Sequence, residues 1–252
     1  MKQPMRIAFR FGRQELTVGP VPLVVGTLSS LARPFPPPGR KACCDVVEVR
    51  LDKTGRPPQW QDRCKKIEKR GRPVLLTLRL KSEGGAWGEP DAERFEIFEW
   101  AIQELAGVDI EWRSKIAHPV AMFAKRKHKI CVISYHNFEK TPSVRELASI
   151  IRNAADMASI VKIATRLRSA EDEEILRFML EQKWKRPLCV IGMGADWTHT
   201  RVSFPQIGSC LAYGFLDTPA APGQLSAAEL TRLLGKKIAP PVNTGDGKEH
   251  HV

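Results

Sequence analysis

The chain has 252 residues, 42% hydrophobic and 27% charged, a balance that places it among globular proteins able to bury a sizeable core in one large domain. No apolar run reaches the roughly 20 residues a membrane helix needs, no signal-peptide core follows Met1-Lys-Gln-Pro-Met-Arg6, and six cysteines without Cys-x-x-Cys spacing read as reduced thiols, so a cytoplasmic protein with no membrane partner and no metal is expected. A net charge of +12 and a pI near 9.6 invite a nucleic-acid partner, yet the basic runs 63–72 and 125–129 fall at predicted helix ends, where cations complement the helix dipole; the expectation is a solvated face that suits a small anionic substrate, and no nucleic acid.

Residues 6–11 and 15–18 alternate around Gly12 and predict a hairpin within residues 1–20 that closes one end of the fold. A buried strand follows at 23–27, and Pro34-Phe-Pro-Pro-Pro-Gly39 reads as a stiff loop. Further Val/Ile/Leu/Cys-rich runs lie at 45–51, 73–79, 108–112, 129–136, 159–165, 187–192 and 210–215, with helical patterns at 92–105, 143–156 and 169–184 between them. Eight buried strands alternating with helices predict an α/β fold, a (β/α)8 TIM barrel forming a single domain over residues 1–235. An open doubly wound sheet is the rival, but no Gly-x-Gly-x-x-Gly turn follows the first strand. Residues 236–252 read as a disordered tail, and His250 and His251 in it are not taken as a metal site.

Alternate residues of a strand share a face, so Glu48 goes with Arg50, Thr77 with Arg79, and Asp109 with Glu111. Catalytic groups of such barrels collect at the C-terminal end, where Glu48, Arg50, Arg79, Glu111, His136, Lys162 and Arg201 would converge. The alternative for Glu48, Arg50, Asp109 and Glu111 is a structural ion-pair network. Lys162 stands in the apolar run Ser159-Ile-Val-Lys-Ile-Ala-Thr165. An amine there is desolvated at a cost of roughly several kcal/mol or opens into a cavity. His136 lies 26 residues earlier, one strand-helix unit away. On neighbouring parallel strands about 4.8 Å apart, the imidazole and the amine would emerge side by side, as a Schiff-base lysine and its proton shuttle. His118 and His199 receive no role, and Phe95, Phe98 and Trp100 follow helical spacing as core.

Seven stretches, in order, carry a resemblance: Val47-Glu-Val-Arg-Leu-Asp52, Leu76-Thr-Leu-Arg-Leu-Lys-Ser-Glu-Gly-Gly85, Ile133-Ser-Tyr-His-Asn-Phe-Glu-Lys-Thr-Pro142, Ile160-Val-Lys-Ile-Ala164, Gly192-Met-Gly194 with Thr200-Arg201, Gly208-Ser209 and Ala221-Pro-Gly-Gln224. Between about residues 20 and 234 the chain resembles the type I 3-dehydroquinate dehydratases. The resemblance implies a barrel enzyme of the shikimate pathway that converts 3-dehydroquinate to 3-dehydroshikimate by syn elimination, without metal or external cofactor, and commonly as a homodimer. It implies that Lys162 forms the imine with the ketone, that His136 serves as general base and then general acid, and that Glu83 orients and tunes His136. Lys162 must be uncharged to attack, a form that the positive charges of Arg50, Arg79 and Arg201 would favour. Arg201 would grip the substrate carboxylate, Glu48 and Arg79 the ring hydroxyls, and Gln224 would close over the ring, with Arg50 completing the substrate-binding set.

Two positions depart from the family pattern. Ala220 stands where a serine is usual, four residues before the loop glutamine. Losing one such hydrogen bond, typically worth about 0.5–1.5 kcal/mol, predicts weaker binding rather than inactivity. Trp197 stands where a small residue is favoured, and is expected to pack outward or else to reshape the loop beside the carboxylate clamp. The alternatives are another Schiff-base lyase or aldolase on the same barrel, and a non-catalytic basic barrel that binds nucleic acid. The second is disfavoured because Lys162, His136 and Glu83 are all present.

Overall fold

The computed structural model describes residues 7–32, 35, 42–219 and 223–238. Strands β1 (Ala8–Phe11) and β2 (Gln14–Thr17) pair antiparallel and turn at Gly12, whose φ of +53° L side chains rarely adopt. Eight parallel strands follow: β3 (Leu23–Leu28), β4 (Val46–Arg50), β5 (Val74–Thr77), β6 (Gly107–Glu111), β7 (Ile130–Asn137), β8 (Ile160–Arg166), β9 (Leu188–Met193) and β10 (Leu211–Phe215). They hydrogen-bond in the order β10-β3-β4-β5-β6-β7-β8-β9. Most of their residues are buried on both faces, which is why the runs read as continuously apolar rather than alternating.

The Ser209 hydroxyl and a backbone bond close the sheet between β9 and β10. The Val190 N–H donates to Ser209 Oγ at 2.9 Å, the Ser209 hydroxyl reaches the Leu211 carbonyl at 3.1 Å, and the Cys210 N–H donates to the Leu188 carbonyl at 2.9 Å. The sheet thereby becomes a nearly closed α/β barrel carrying the predicted N-terminal hairpin.

Helices cover the barrel: α1 (Leu51–Thr54), α2 (Trp60–Lys69), α3 (Asp91–Glu104), α4 (Ala117–Arg126), α5 (Val144–Ala155), α6 (Ala170–Glu181), α7 (Thr200–Gln206) and α8 (Ala227–Leu233). Local chemistry sets their starts. Ser143 and Glu146 form a reciprocal capping box on α5, Ser169 caps α6 above three acidic residues in its first turn, and Ser226 caps α8. The basic runs fall where expected, with Lys66 and Lys69 in the last turn of α2 and Lys125 and Arg126 in that of α4.

Two apolar cores result. One lies between strands and helices and includes Phe98, Ile102, Leu147, Ile151, Leu176 and Phe204. The other fills the barrel's N-terminal half, where Phe9 and Phe11 of the hairpin pack with Val25, Val46, Leu75 and Val132. With that half filled, open space is left to the C-terminal half. The predicted stiff loop at 34–39, apart from Phe35, lies outside the described residues, as do Ala220 and residues 239–252 of the predicted tail. Lys236 is held by the Pro22 carbonyl at 2.6 Å and by Asp45 at 2.5 Å.

Candidate active site

Lys162 is the third residue of β8 and is 2% exposed. Its Nζ donates to Asp109 Oδ2 at 2.5 Å and lies 4.6 Å from the centre of the Tyr213 ring. Asp109, on β6, also accepts from the Ser134 hydroxyl at 2.7 Å and has Arg79 3.9 Å away. Burial raises the Asp109 carboxyl, but Lys162, Arg79 and Ser134 outweigh it and hold the group below its usual range. The charge touching the amine is therefore an acid, and not one of the arginines expected to repel it.

The register corrects a second expectation. Strands β7 and β8 are direct neighbours, but Lys162 lies opposite Ser134, and His136 lies opposite Ala164. His136 thus stands two residues nearer the mouth, roughly 6–7 Å along the strand, and not side by side with the amine. A substrate lying along the barrel axis could meet the amine at depth and the imidazole above it.

His136 Nδ1 is 3.0 Å from Glu83 Oε2, and the His136 backbone N–H donates to the same oxygen at 3.2 Å. With Nδ1 engaged, Nε2 is the ring nitrogen available to a ligand. Glu83 comes from a 3-10 turn, Lys81–Glu83, in a loop folded hard against the end of β5. A Cβ on Gly85 would lie 2.0 Å from the Arg79 carbonyl oxygen, so only glycine lets the loop turn this tightly. Burial, with the Arg79, Lys162 and Arg50 charges, drives His136 well below its usual value and keeps the imidazole neutral. Burial, then Glu111, pushes Glu83 up to about 7. The like charge of these cations is felt by the histidine.

Around this pair the predicted binding residues meet in one cavity open to solvent, lined by Glu48, Arg50, Arg79, His136, Lys162, Arg201 and Gln224. Glu83 stands behind His136. Each Glu48 oxygen accepts a threonine hydroxyl, from Thr27 and from Thr77, both at 2.9 Å. Arg50 makes a two-point contact with Asp52, at 2.9 and 2.8 Å. Arg201, second residue of α7, is 9% exposed, and among the described residues no carboxylate pairs with it. Burial pushes it down to about 10. A desolvated guanidinium facing a cavity without its own acid is a site for an anion.

Glu111, expected to converge on the site, is instead taken by fully buried Arg94 of α3 and by the Leu80 N–H. It belongs to the structural ion-pair alternative, whereas Asp109 of the same strand face meets Lys162 beneath the cavity. Trp197 packs over Gly194 and against the outer core rather than lining the cavity. Asp109 and Tyr213 received no site role from the sequence. A buried lysine requires a counter-charge, and that requirement was the available signal for Asp109. Tyr213 gave only a weak one, as one of two tyrosines in the chain.

The sequence matches the family model for type I 3-dehydroquinase over residues 21–237. It is 35% identical over 197 residues to the 3-dehydroquinate dehydratase of Methanocella arvoryzae, covering 76% of this chain and 88% of that protein. With the enzyme of Methanothrix thermoacetophila it shares 34% over 215 residues, 84% of this chain and 91% of the relative. Among solved structures, the 3-dehydroquinate dehydratase of Aquifex aeolicus superposes with a TM-score of 0.70 at 26% identity, covering 84% of this chain and 96% of that one. The type I enzyme of Clostridium difficile, at 22% identity, shares the fold with a TM-score of 0.77 over 92% of this chain and 97% of that one.

Proposed function

The chain belongs to the type I 3-dehydroquinase family, and from that premise we propose that it dehydrates 3-dehydroquinate to 3-dehydroshikimate through an imine on Lys162. The observation that carries the mechanism is a buried amine sharing one cavity with a neutral, Glu83-oriented imidazole and an arginine that no described acid pairs. Lys162 attacks the ketone carbon as the free amine, once its ammonium proton has passed to water at the cavity mouth, and Asp109, hydrogen-bonded to it, holds the nitrogen in place. Loss of water from the adduct leaves an iminium, an electron sink for the carbanion next to it. Nε2 of His136 removes the neighbouring proton. The imidazolium then returns a proton to the departing hydroxyl on the same face, and hydrolysis of the product imine frees the lysine.

Arg201 suits the substrate carboxylate, because a planar fork matches it and no acid among the described residues competes. Glu48 and Arg79 suit the ring hydroxyls. Gln224 follows Gly223, where a Cβ would come within 2.9 Å of the Gly194 carbonyl oxygen, so its segment packs directly on the loop leading to Arg201. The reading includes a homodimer, which the family resemblance supports, and a reducing, cytoplasmic setting, which six free cysteines support. Light scattering on the purified protein checks the first.

Borohydride added during turnover should fix substrate carbon on the peptide that contains Lys162, and a Lys162→Ala variant should trap none. Unmodified wild-type protein under those conditions overturns the mechanism. Turnover of 3-dehydroquinate separates this reading from another Schiff-base lyase on the same barrel.

A further inference from the structure

Tyr213, in β10, is 6% exposed and lines the cavity, yet no described residue gives its hydroxyl a hydrogen bond. Seven buried side-chain polar atoms are in this position among the described residues, and only those of Arg79 and Tyr213 belong to residues lining the cavity. Arg79 has other nitrogens to satisfy. The tyrosine has one polar atom, and leaving it unmade inside a protein is costly unless a ligand completes it. Its ring lies under the Lys162 amine at 4.6 Å, but the hydroxyl makes no hydrogen bond with that amine. Ring and amine thus border the place where the attacked carbon must sit.

We propose that Tyr213 is a substrate-positioning residue, whose hydroxyl hydrogen-bonds the oxygen on the carbon that Lys162 attacks, first as the ketone and then as the carbinolamine. This rests on the Schiff-base reading and adds to it the residue that aligns the carbonyl with the amine. The phenol acts as a donor and not as a base, since burial, with Glu48 and Asp109 nearby, pushes it well above the usual tyrosine value. No proton leaves it. The oxygen departs as water with protons supplied by the other groups around the adduct, and the phenol is unchanged.

Tyr213→Phe keeps the ring beneath the amine and removes only the hydroxyl. Losing one such bond corresponds to about a tenfold effect. The expected result is that KM rises, and the single-turnover rate of borohydride-trappable imine slows, by about that factor, while the melting temperature is unchanged or higher. A structural hydroxyl would give the opposite pattern, a lower melting temperature with unaltered kinetics. Wild-type protein that traps substrate on Lys162, beside a Tyr213→Phe variant that traps it equally fast with the same KM, overturns this inference and leaves the Schiff-base reading intact. Wild-type protein that never traps substrate overturns both.

Discussion

His136 is fitted to act as a base by its surroundings. An ordinary histidine loses its base form as pH falls through about 6.5. Here burial and three cations hold the imidazole neutral well below that, so protonation of His136 should not limit kcat/KM until the pH is well under 6.5. A pH-rate profile for a Glu83→Gln variant, which removes the neighbouring group raised to about 7, with an acid limb centred at 6.5 would contradict this environment. His136→Ala should lower kcat by roughly 10²–10⁴, the usual contribution of one positioned acid-base group, while still forming trappable imine. Near-normal turnover in that variant would make His136 structural. Asp109 shows how a residue in an anonymous strand acquires a role: it shares a face with Glu111, yet one meets the lysine and the other meets Arg94.

At the scale of elements, the barrel's weak seam is its last one. Seven of the eight junctions are ordinary parallel ladders, while β9 and β10 meet through Ser209 and few backbone bonds. Ser209→Ala would leave the buried Val190 N–H without its acceptor. An unsatisfied buried donor costs about 1–3 kcal/mol, so urea unfolding should show a loss in that range. A change below a few tenths of a kcal/mol would mean that the backbone closes the seam unaided. The loop after β5 works similarly, since Gly85 permits a turn that sets Glu83 on His136.

For the whole molecule, stability against pH follows from half-buried Glu68 of α2. One of its oxygens accepts the Val74 and Ala106 N–H groups, at 2.9 and 2.8 Å, and ties α2 to the start of β5 and the approach to β6. Burial pushes the group up to about 7 despite those bonds. A carboxyl raised on folding stabilises the protein below its unfolded value near 4.5, and that stabilisation is lost as pH rises through about 7. Glu83, also raised to about 7, acts in the same direction. His136, depressed on folding, acts in the opposite one, removing stability as pH falls below 6.5. Glu68→Gln keeps a carbonyl acceptor for both N–H groups and removes the buried charge. Its melting temperature at pH 8 should exceed that of the wild type by roughly 2–4 °C, and the gap should close toward pH 5. Equal gains at both pH values would assign the effect to packing.

The sequence by itself determined the barrel, because strands buried on both faces must be largely apolar, and eight such runs were countable from Leu23 to Phe215. It also marked most of the candidate residues that the structure brings into one cavity, though not Tyr213. Lys162, His136 and the arginines are chemically conspicuous in those runs, and strand periodicity sends Glu48 and Arg50 to one face. Only the tertiary structure decided depth and pairing. Interval lengths name neighbouring strands but not their register, so the two-residue offset of His136 from Lys162 could not be counted. Which acid meets the amine depends on side chains from strands that are not adjacent, as with Asp109. An unmet hydroxyl such as that of Tyr213 exists only once everything around it has been placed.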